Sequence, residues 1–434
     1  MSGILERLQK LKNHRVSRNA SWILLGQGAN FLLQAGYFIL LARVLGVREY
    51  GVFAGAFAIV NLVTPYSAFG AGMLFMRYVT ADRTKAAIYW GNSLIVTTVA
   101  TAMIAGALFF VGPAITKTGN HLIFVVLVVA NCLFSQVANL GSLVFQTFEK
   151  MRWTAMLSLV SSLARFLILI VMRFTLHHAT AFQWSLGVLI ASGCAACLTM
   201  VLVRAEVGPA TCERSLIFRR IREGLGFSFA GTTQAAYNDL DKVMLSHYGL
   251  NRENGFYTLA YRVIDVATTP IASLDAAILP RLFRLGHGGK QKVVKLAIKS
   301  AGASLLLGAG IAVSILLLAP FIPRLVGRDF SGVLIALRWL CWIPLLRGIH
   351  RATGSALTGS GRQNLRTAAQ VTVALVNLLL NLWWIPVFGW IGAAWSSLAS
   401  DGLLAVLNTL LLFLGWKRGV QAETSALAES EAYS

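Results

Sequence analysis

The sequence runs to 434 residues, of which 56% are hydrophobic and only 13% charged, with a formal net charge of +21. A soluble domain carries roughly a quarter charged residues, so this composition excludes an ordinary cytosolic enzyme and belongs with membrane proteins. On a soluble chain such a positive charge would point to nucleic acid. Here the basic residues lie between apolar stretches long enough to cross a bilayer, so topology accounts for them and no nucleic-acid partner is expected.

The chain opens on residues 1–19, too polar for a secretory leader. Ile4, Leu8 and Leu11 share one helical face opposite Arg7, Lys10 and Arg15, a pattern that predicts a short interfacial helix leading into the first span. A span needs about 20 predominantly apolar residues. Runs of that kind predict twelve spans, at 20–42, 52–76, 88–111, 122–145, 154–173, 183–203, 224–246, 256–280, 300–323, 332–350, 367–387 and 390–415. The seventh is unusually polar, and the tenth carries Arg338 and Arg347.

Basic clusters fall on one side of this map: Arg7 to Arg18, Arg214 to Arg222, Arg281 to Lys299, and Lys417 with Arg418. The opposite loops are short and poor in Lys and Arg, an asymmetry that predicts both termini in the cytoplasm. Short outer loops also leave no room for an extramembrane catalytic domain. The five cysteines form no evident framework. Cys194 and Cys197 make a CxxC inside an apolar run, where small packing residues are expected rather than a metal or redox pair. No metal or cofactor is anticipated.

A shift of 204 residues aligns the first two spans with the seventh and eighth without a gap. Arg15 and Arg18 fall on Arg219 and Arg222, Glu49 on Glu253, Gly51 on Gly255, and Thr64 on Thr268. Polar positions inside the membrane coincide as well: Asn30 with Gln234, Gln34 with Asn238, and Asn61 with Asp265. Six spans per half give both halves the same orientation, related by an axis along the membrane normal. The fold expected is therefore all-α and integral to the membrane, with an N-lobe at 20–203, a basic cytoplasmic linker at 204–223, a C-lobe at 224–416 and a cytoplasmic tail at 417–434. A substrate cavity is expected between the lobes.

Ionisable residues within spans cost about 2.5–3.5 kcal/mol each on insertion scales and mark function by default. Gln27, Asn30 and Gln34 recur at i, i+3 and i+7 on the first span. The seventh repeats this face with Gln234, Asn238 and Asp241, flanked by Asp239 and Lys242. On the eighth, Arg262, Asp265 and Thr269 share a face, with Asp275 farther along. Two plainer roles compete with substrate binding: Arg262 and Asp265 as a self-neutralising pair, and Lys242 reaching toward the interface. Arg165 in the fifth span, Arg338 in the tenth and Asp401 in the twelfth are as well suited to tethering helices as to meeting a substrate.

Several segments resemble a known family. Ile385-Pro386-Val387-Phe388-Gly389-Trp390-Ile391-Gly392-Ala393-Ala394, preceded by Leu378-Leu379-Leu380-Asn381, is similar to the hairpin between the last two spans of Wzx-type polysaccharide flippases. These form the polysaccharide transport branch of the multidrug/oligosaccharidyl-lipid/polysaccharide exporter superfamily. Ala42-Arg43-Val44-Leu45-Gly46 with Glu49-Tyr50-Gly51 resembles that family's first outer loop. Asp241-Lys242, followed by Gly255-Phe256-Tyr257-Thr258-Leu259-Ala260, resembles its entry to span eight, and Ala356 to Arg362 its turn before span eleven. The resemblance covers essentially the whole chain.

It implies a flippase that translocates an undecaprenyl-diphosphate-linked oligosaccharide from the cytoplasmic to the outer leaflet of a bacterial inner membrane. Two six-helix lobes would alternate around a cationic cavity. Basic groups facing the substrate would be Arg262 and Lys242, with Asn30, Gln34, Asn61, Gln234 and Asn238 lining the cavity. Asp241, Asp265 and Asp239 are the candidates for coupling to an ion. The implied partners are the lipid-linked oligosaccharide, membrane lipids and the polysaccharide polymerase machinery. The matching faces of the first half are amide-rich rather than charged, a departure that bears on how anionic the sugar is.

Two rivals are weaker. A major-facilitator permease needs a Gly-rich Asp-Arg motif after span two. Asp82-Arg83 is present, but Tyr78 and Thr84-Lys85 occupy places where that motif wants glycine and an unbroken basic run. A multidrug exporter of the same superfamily should have an acidic or aromatic cavity, whereas this one mixes signs.

Overall fold

The computed structural model describes residues 2–432 apart from 177 and 287–289, and side chains within 33–414 apart from 177, 230, 280 and 286–291. The chain is 91% helical, with no strand among the described residues. Its helices are α1 (Ser2–Ser67), α2 (Ala71–Ala81), α3 (Ala86–Thr116), α4 (Leu122–Val128), α5 (Gln136–Thr147), α6 (Met151–Thr175), α7 (Ala181–Val207) and α8 (Arg214–His247). There follow α9 (Asn251–Ala267), α10 (Thr269–Gly286), α11 (Lys290–Leu318), α12 (Ile322–Val326), α13 (Gly332–Leu340), α14 (Ile343–Gly359), α15 (Gln363–Phe388) and α16 (Trp390–Ala432). Among the described residues eight stretches are long and apolar enough to cross a membrane, or up to ten if α9–α10 and α13–α14 are each one bent span.

Two features explain why this count is below twelve. The 49-residue stretch Leu33–Ala81 counts once. Yet it contains Gly46 at φ 71°, ψ 170°, a conformation in which side-chain-bearing residues are strained, so α1 is two helices joined at that glycine. The polar α8 is not among the eight, and it covers the unusually polar seventh span.

The chain forms two compact units, Met1–Gly255 and Phe256–Ser434. The sequence-based lobes part at 204–223, so α8 is the element that separates the two partitions. In the first unit α8 runs antiparallel to the second half of α1. Thr232 Oγ1 donates to the Leu62 carbonyl at 3.3 Å, and a Cβ on Gly55 would lie 2.3 Å from Ser246 Oγ. Small residues let membrane helices approach this closely without an apolar driving force between them.

Gly51 and Gly255 make a reciprocal contact. A Cβ on Gly51 would sit 1.7 Å from the Asn251 carbonyl oxygen, and one on Gly255 would sit 1.9 Å from that of Val47. Residues 47 and 251 differ by the same 204 positions as 51 and 255. Paired contacts of this form are what a local two-fold between repeated segments produces.

Between α4 and α5, residues Val129–Ser135 form a π-helical stretch. Such widened turns within helices are frequent at functional sites. In the second unit α14 is packed by α10, α11 and α16, with Gly348 against Ser304 and Gly359 against Leu282. Pro270 and Pro344 lie at the starts of α10 and α14, where a missing N–H is tolerated and the chain bends, by 40° and 44°. The α15–α16 hairpin turns at Gly389, φ 59°. It is tied by a fully buried network in which Asn377 Nδ2 donates to Ser400 Oγ at 2.9 Å, Asn381 Nδ2 to Asn377 Oδ1 at 2.9 Å, and Ser396 Oγ to Asn381 Oδ1.

Candidate functional site

Each unit holds its own polar constellation. In the first, the antiparallel packing of α8 on α1 brings Asp239 to Asn61, whose Nδ2 donates to Asp239 Oδ2 at 3.0 Å. Lys242, one helical turn on, donates through Nζ to Asp239 Oδ1 at 2.9 Å and to the Asn238 carbonyl, and lies 3.5 Å from Asp241 Oδ1. All three ionisable groups are buried, Lys242 to 4% exposure. Two carboxylates thus flank one ammonium. Burial without pairing would be costly for each of them.

Asn61 also accepts from Asn131 Nδ2 at 3.3 Å, and the same amide donates to Thr64 Oγ1 at 3.0 Å. Asn131 sits in the π-helical stretch. It lines a cavity of about 330 Å³ with Gln34 from α1, Asn139 from α5 and Arg165 from α6. Ser158, Ser161 and Ser162 of α6 complete that wall, and Ser135, Ser142 and Ser192 face them from neighbouring elements. A hydrogen-bonded line thus runs from the cavity wall through Asn61 to the Lys242 cluster.

In the second unit the charges form a chain. Arg347 of α14 donates to Asp265 Oδ1 at 2.8 Å and places Nε 3.5 Å from Asp401 Oδ2. Asp401 Oδ1 lies 3.3 Å from His350 Nε2. Arg262 stands 3.8 Å from Asp265 Oδ2, a looser contact than the one Arg347 makes. The side chain of Asp401 is 2% exposed and that of Arg347 13%, whereas Arg262 keeps 31% and Asp265 42%. The Arg347 guanidinium also lies 5.9 Å from the Tyr261 ring centroid, within cation–π range. Asp275, farther along α10, accepts from Ser355 Oγ at 3.0 Å.

The expected site residues are therefore distributed as follows. Asn61, Asp239, Asp241 and Lys242 come together in the first unit, and Gln34 lines its cavity. Gln234 and Asn238 present exposed side chains on α8. Arg262 and Asp265 meet in the second unit, although the dominant partner of Asp265 is Arg347. The side chain of Asn30 lies outside the described residues. Cys194 and Cys197 are free and exposed rather than packed. Among the described residues no group of three His, Cys, Asp or Glu could hold a metal.

Asp82 caps the turn between α2 and α3, its Oδ1 accepting from Thr84 N at 3.1 Å and from Thr84 Oγ1 at 2.6 Å. Hydrogen bonds from Thr84 and Lys85 hold its carboxyl below the usual carboxylate value. The Asp-Arg dipeptide there is accounted for as turn chemistry.

Sequence reading missed two groupings. Arg347, His350 and Asp401 lie on α14 and α16 with no local pattern to link them. The second grouping, Ser158, Ser161, Ser162 and Arg165, did carry a signal: i, i+3, i+4 and i+7 place all four on one face of α6.

Residues 16–286 match the family described as Polysaccharide biosynthesis protein. Over 420 residues the chain is 24% identical to a protein of Escherichia coli (strain K12) described as "Putative O-antigen transporter", covering 92% of this chain and 96% of that one. Its fold is similar to the inward-facing conformation of a multidrug resistance MATE family transporter of the MOP superfamily, with TM-score 0.72 at 13% identity, over 90% of this chain and 94% of the other. It is also similar to the lipid II flippase MurJ in an inward closed conformation, with TM-score 0.70 at 12% identity, over 91% and 87% of the two chains.

Proposed function

The chain belongs to the polysaccharide biosynthesis protein family, and from that membership we propose that it is a flippase for an undecaprenyl-diphosphate-linked oligosaccharide. It carries the oligosaccharide from the cytoplasmic to the outer leaflet of the bacterial inner membrane by alternating access of two six-helix lobes, 20–203 and 224–416, with both termini cytoplasmic. Its relatives are transporters and flippases rather than enzymes, and the polar chemistry described above lies on helices rather than on a separate catalytic domain.

One observation carries the choice of an anionic cargo. In the second unit Arg347 is locked between two carboxylates, while Arg262 holds Asp265 loosely and remains partly exposed. We therefore assign Arg262 to the diphosphate, whose oxygens a planar guanidinium fork matches. Within the first unit we assign Lys242 to acidic groups of the cargo, and Gln34, Asn61, Gln234, Asn238 and Asn30 to its sugar hydroxyls.

The membrane potential itself favours this direction. Moving two negative charges out of an electrically negative interior is worth about 4–5 kcal/mol per 100 mV. Any coupling to an ion we assign to Asp241, Asp239 or Asp265.

A bacterium lacking its own flippase provides the test. The wild-type chain restores surface glycan, Arg262→Ala abolishes it while the protein still inserts, and Arg262→Lys restores it partly. Normal glycan with Arg262→Ala removes that residue from the mechanism. The likeness to the MATE transporter supports a second reading, a multidrug or small-molecule exporter. Extrusion of cationic dyes without restored glycan would establish that reading instead.

A further inference from the structure

The geometry points to a second ligand site, within the first unit: the cavity of about 330 Å³ beside the π-helical stretch binds an anionic sugar segment, its phosphate or carboxylate against Arg165. This deepens the flippase reading and rests on it for the identity of the ligand. The volume lies at the lower end of the ~300–1,000 Å³ range of small-molecule pockets.

The first argument is charge. Arg165 sits at the middle of the membrane helix Met151–Thr175, where a cation is expensive unless something neutralises it. Among the described residues no carboxylate pairs with Arg165, and none lines the cavity. Its guanidinium donates to a neutral partner, Ser135 Oγ, at 3.1 Å, and its Nε is buried with no hydrogen-bond partner among the described residues. The other intramembrane arginine network contrasts sharply, since Arg347 has two aspartates. A cavity that presents an arginine and leaves its counter-charge unfilled is shaped for an anion that arrives.

The second argument is hydrogen-bond polarity. Ser161 and Ser192 donate their hydroxyl protons to carbonyls of their own helices, at 2.8 Å each. That leaves their oxygens as acceptors facing the cavity. Gln34 and Asn139 add amides that can both donate and accept. Sugar hydroxyls, each a donor and an acceptor, match such a mixed wall, whereas an apolar drug would leave it unsatisfied. The π-helical stretch supplies Asn131 and Ser135 to the same wall, which gives a local irregularity of the membrane helix a purpose.

The test uses purified full-length protein in detergent, with the exposed Cys194, Cys197 and Cys212 changed to alanine and Ser161→Cys as a reporter. Its alkylation rate is measured with inorganic pyrophosphate, with methyl glucuronide and with neutral methyl glucoside. At least one anionic probe should slow alkylation fivefold or more. Protection by pyrophosphate alone identifies a phosphate-bearing sugar, and protection by the uronate alone an acidic sugar. Arg165→Gln should remove the protection and Arg165→Lys should keep part of it, both with unaltered elution on size exclusion.

Equal protection by the neutral glycoside, protection that survives Arg165→Gln, or no protection by either anion overturns the site. The glycan-export assay separates this outcome from the function itself. Export by wild type without protection defeats the cavity site alone. Protection without any export leaves the site standing and defeats the flippase reading.

Discussion

The two units carry their polar groups in opposite styles. At repeat-related positions stand Asn61 in the first and Asp265 in the second. Asn61 is a neutral bridge, donating to Asp239 and accepting from Asn131. Asp265 is an ion-pair partner, held by Arg347 at 2.8 Å. The first unit surrounds a hydroxyl- and amide-lined cavity and buries a compact charge cluster on one helix. The second strings alternating charges across α9, α14 and α16. The first unit thus keeps its cavity lining neutral apart from Arg165, whereas the second leaves Arg262 and Asp265 partly exposed.

Substitutions that remove a charge should break this comparison most strongly. Lys242→Met removes the ammonium between two buried carboxylates, and should cost about 3–5 kcal/mol of stability, the usual loss when one partner of a buried pair is deleted. Denaturant unfolding in detergent measures it, and adding Asp239→Asn should recover part of the loss. Arg347→Met should cost less, about 3 kcal/mol, because His350 stays 3.3 Å from Asp401 and Asp265 keeps solvent access. A loss under 1 kcal/mol at either position would mean that the pair is not formed in the membrane.

The next substitutions sharpen the comparison by exchanging the styles. Asn61→Asp places a carboxylate beside Asp239 and removes the donor, for about 1.5–3 kcal/mol. Its counterpart Asp265→Asn should cost only about 1 kcal/mol, since Arg347 retains Asp401 and the site is half open. Equal effects would show that the two positions play the same part after all. The smallest contrast is Gly106→Ala, where nothing lies within 4 Å of an added Cβ. It should change stability by less than about 0.5 kcal/mol, while Gly51→Ala, facing the Asn251 carbonyl, should cost about 1–3 kcal/mol.

Much of the fold was legible because hydropathy and repetition are local signals. The apolar runs became helices, Gly46 became the break within α1, and the polar run 224–246 became α8. The quoted hairpin motif was legible for a physical reason too. Asn381, Gly389 and Gly392 are required by a buried hydrogen-bond network and a tight turn, so that motif reports architecture rather than a binding site. The Asp239–Asp241–Lys242 cluster could be read because its members lie within one turn. Which helix α8 would lie along could not, since packing partners in a membrane are chosen by small-residue contacts scattered over 200 positions. The Arg347–Asp401 contact was hidden for the same reason. What made the tenth span look too charged is a charge neutralised from α9 and α16.

The most direct measurement is leaflet exchange by the purified chain in proteoliposomes, using a fluorescent polyprenyl-diphosphate oligosaccharide and a membrane-impermeant reductant. Passive vesicles should lose only the outer-leaflet fluorescence, about half of the total for lipid spread evenly over both leaflets. Vesicles with the wild-type chain should lose nearly all of it, and faster when an imposed potential drives negative charge toward the reductant. Fluorescence that stops at the passive level, with protein folded and inserted, would contradict the account.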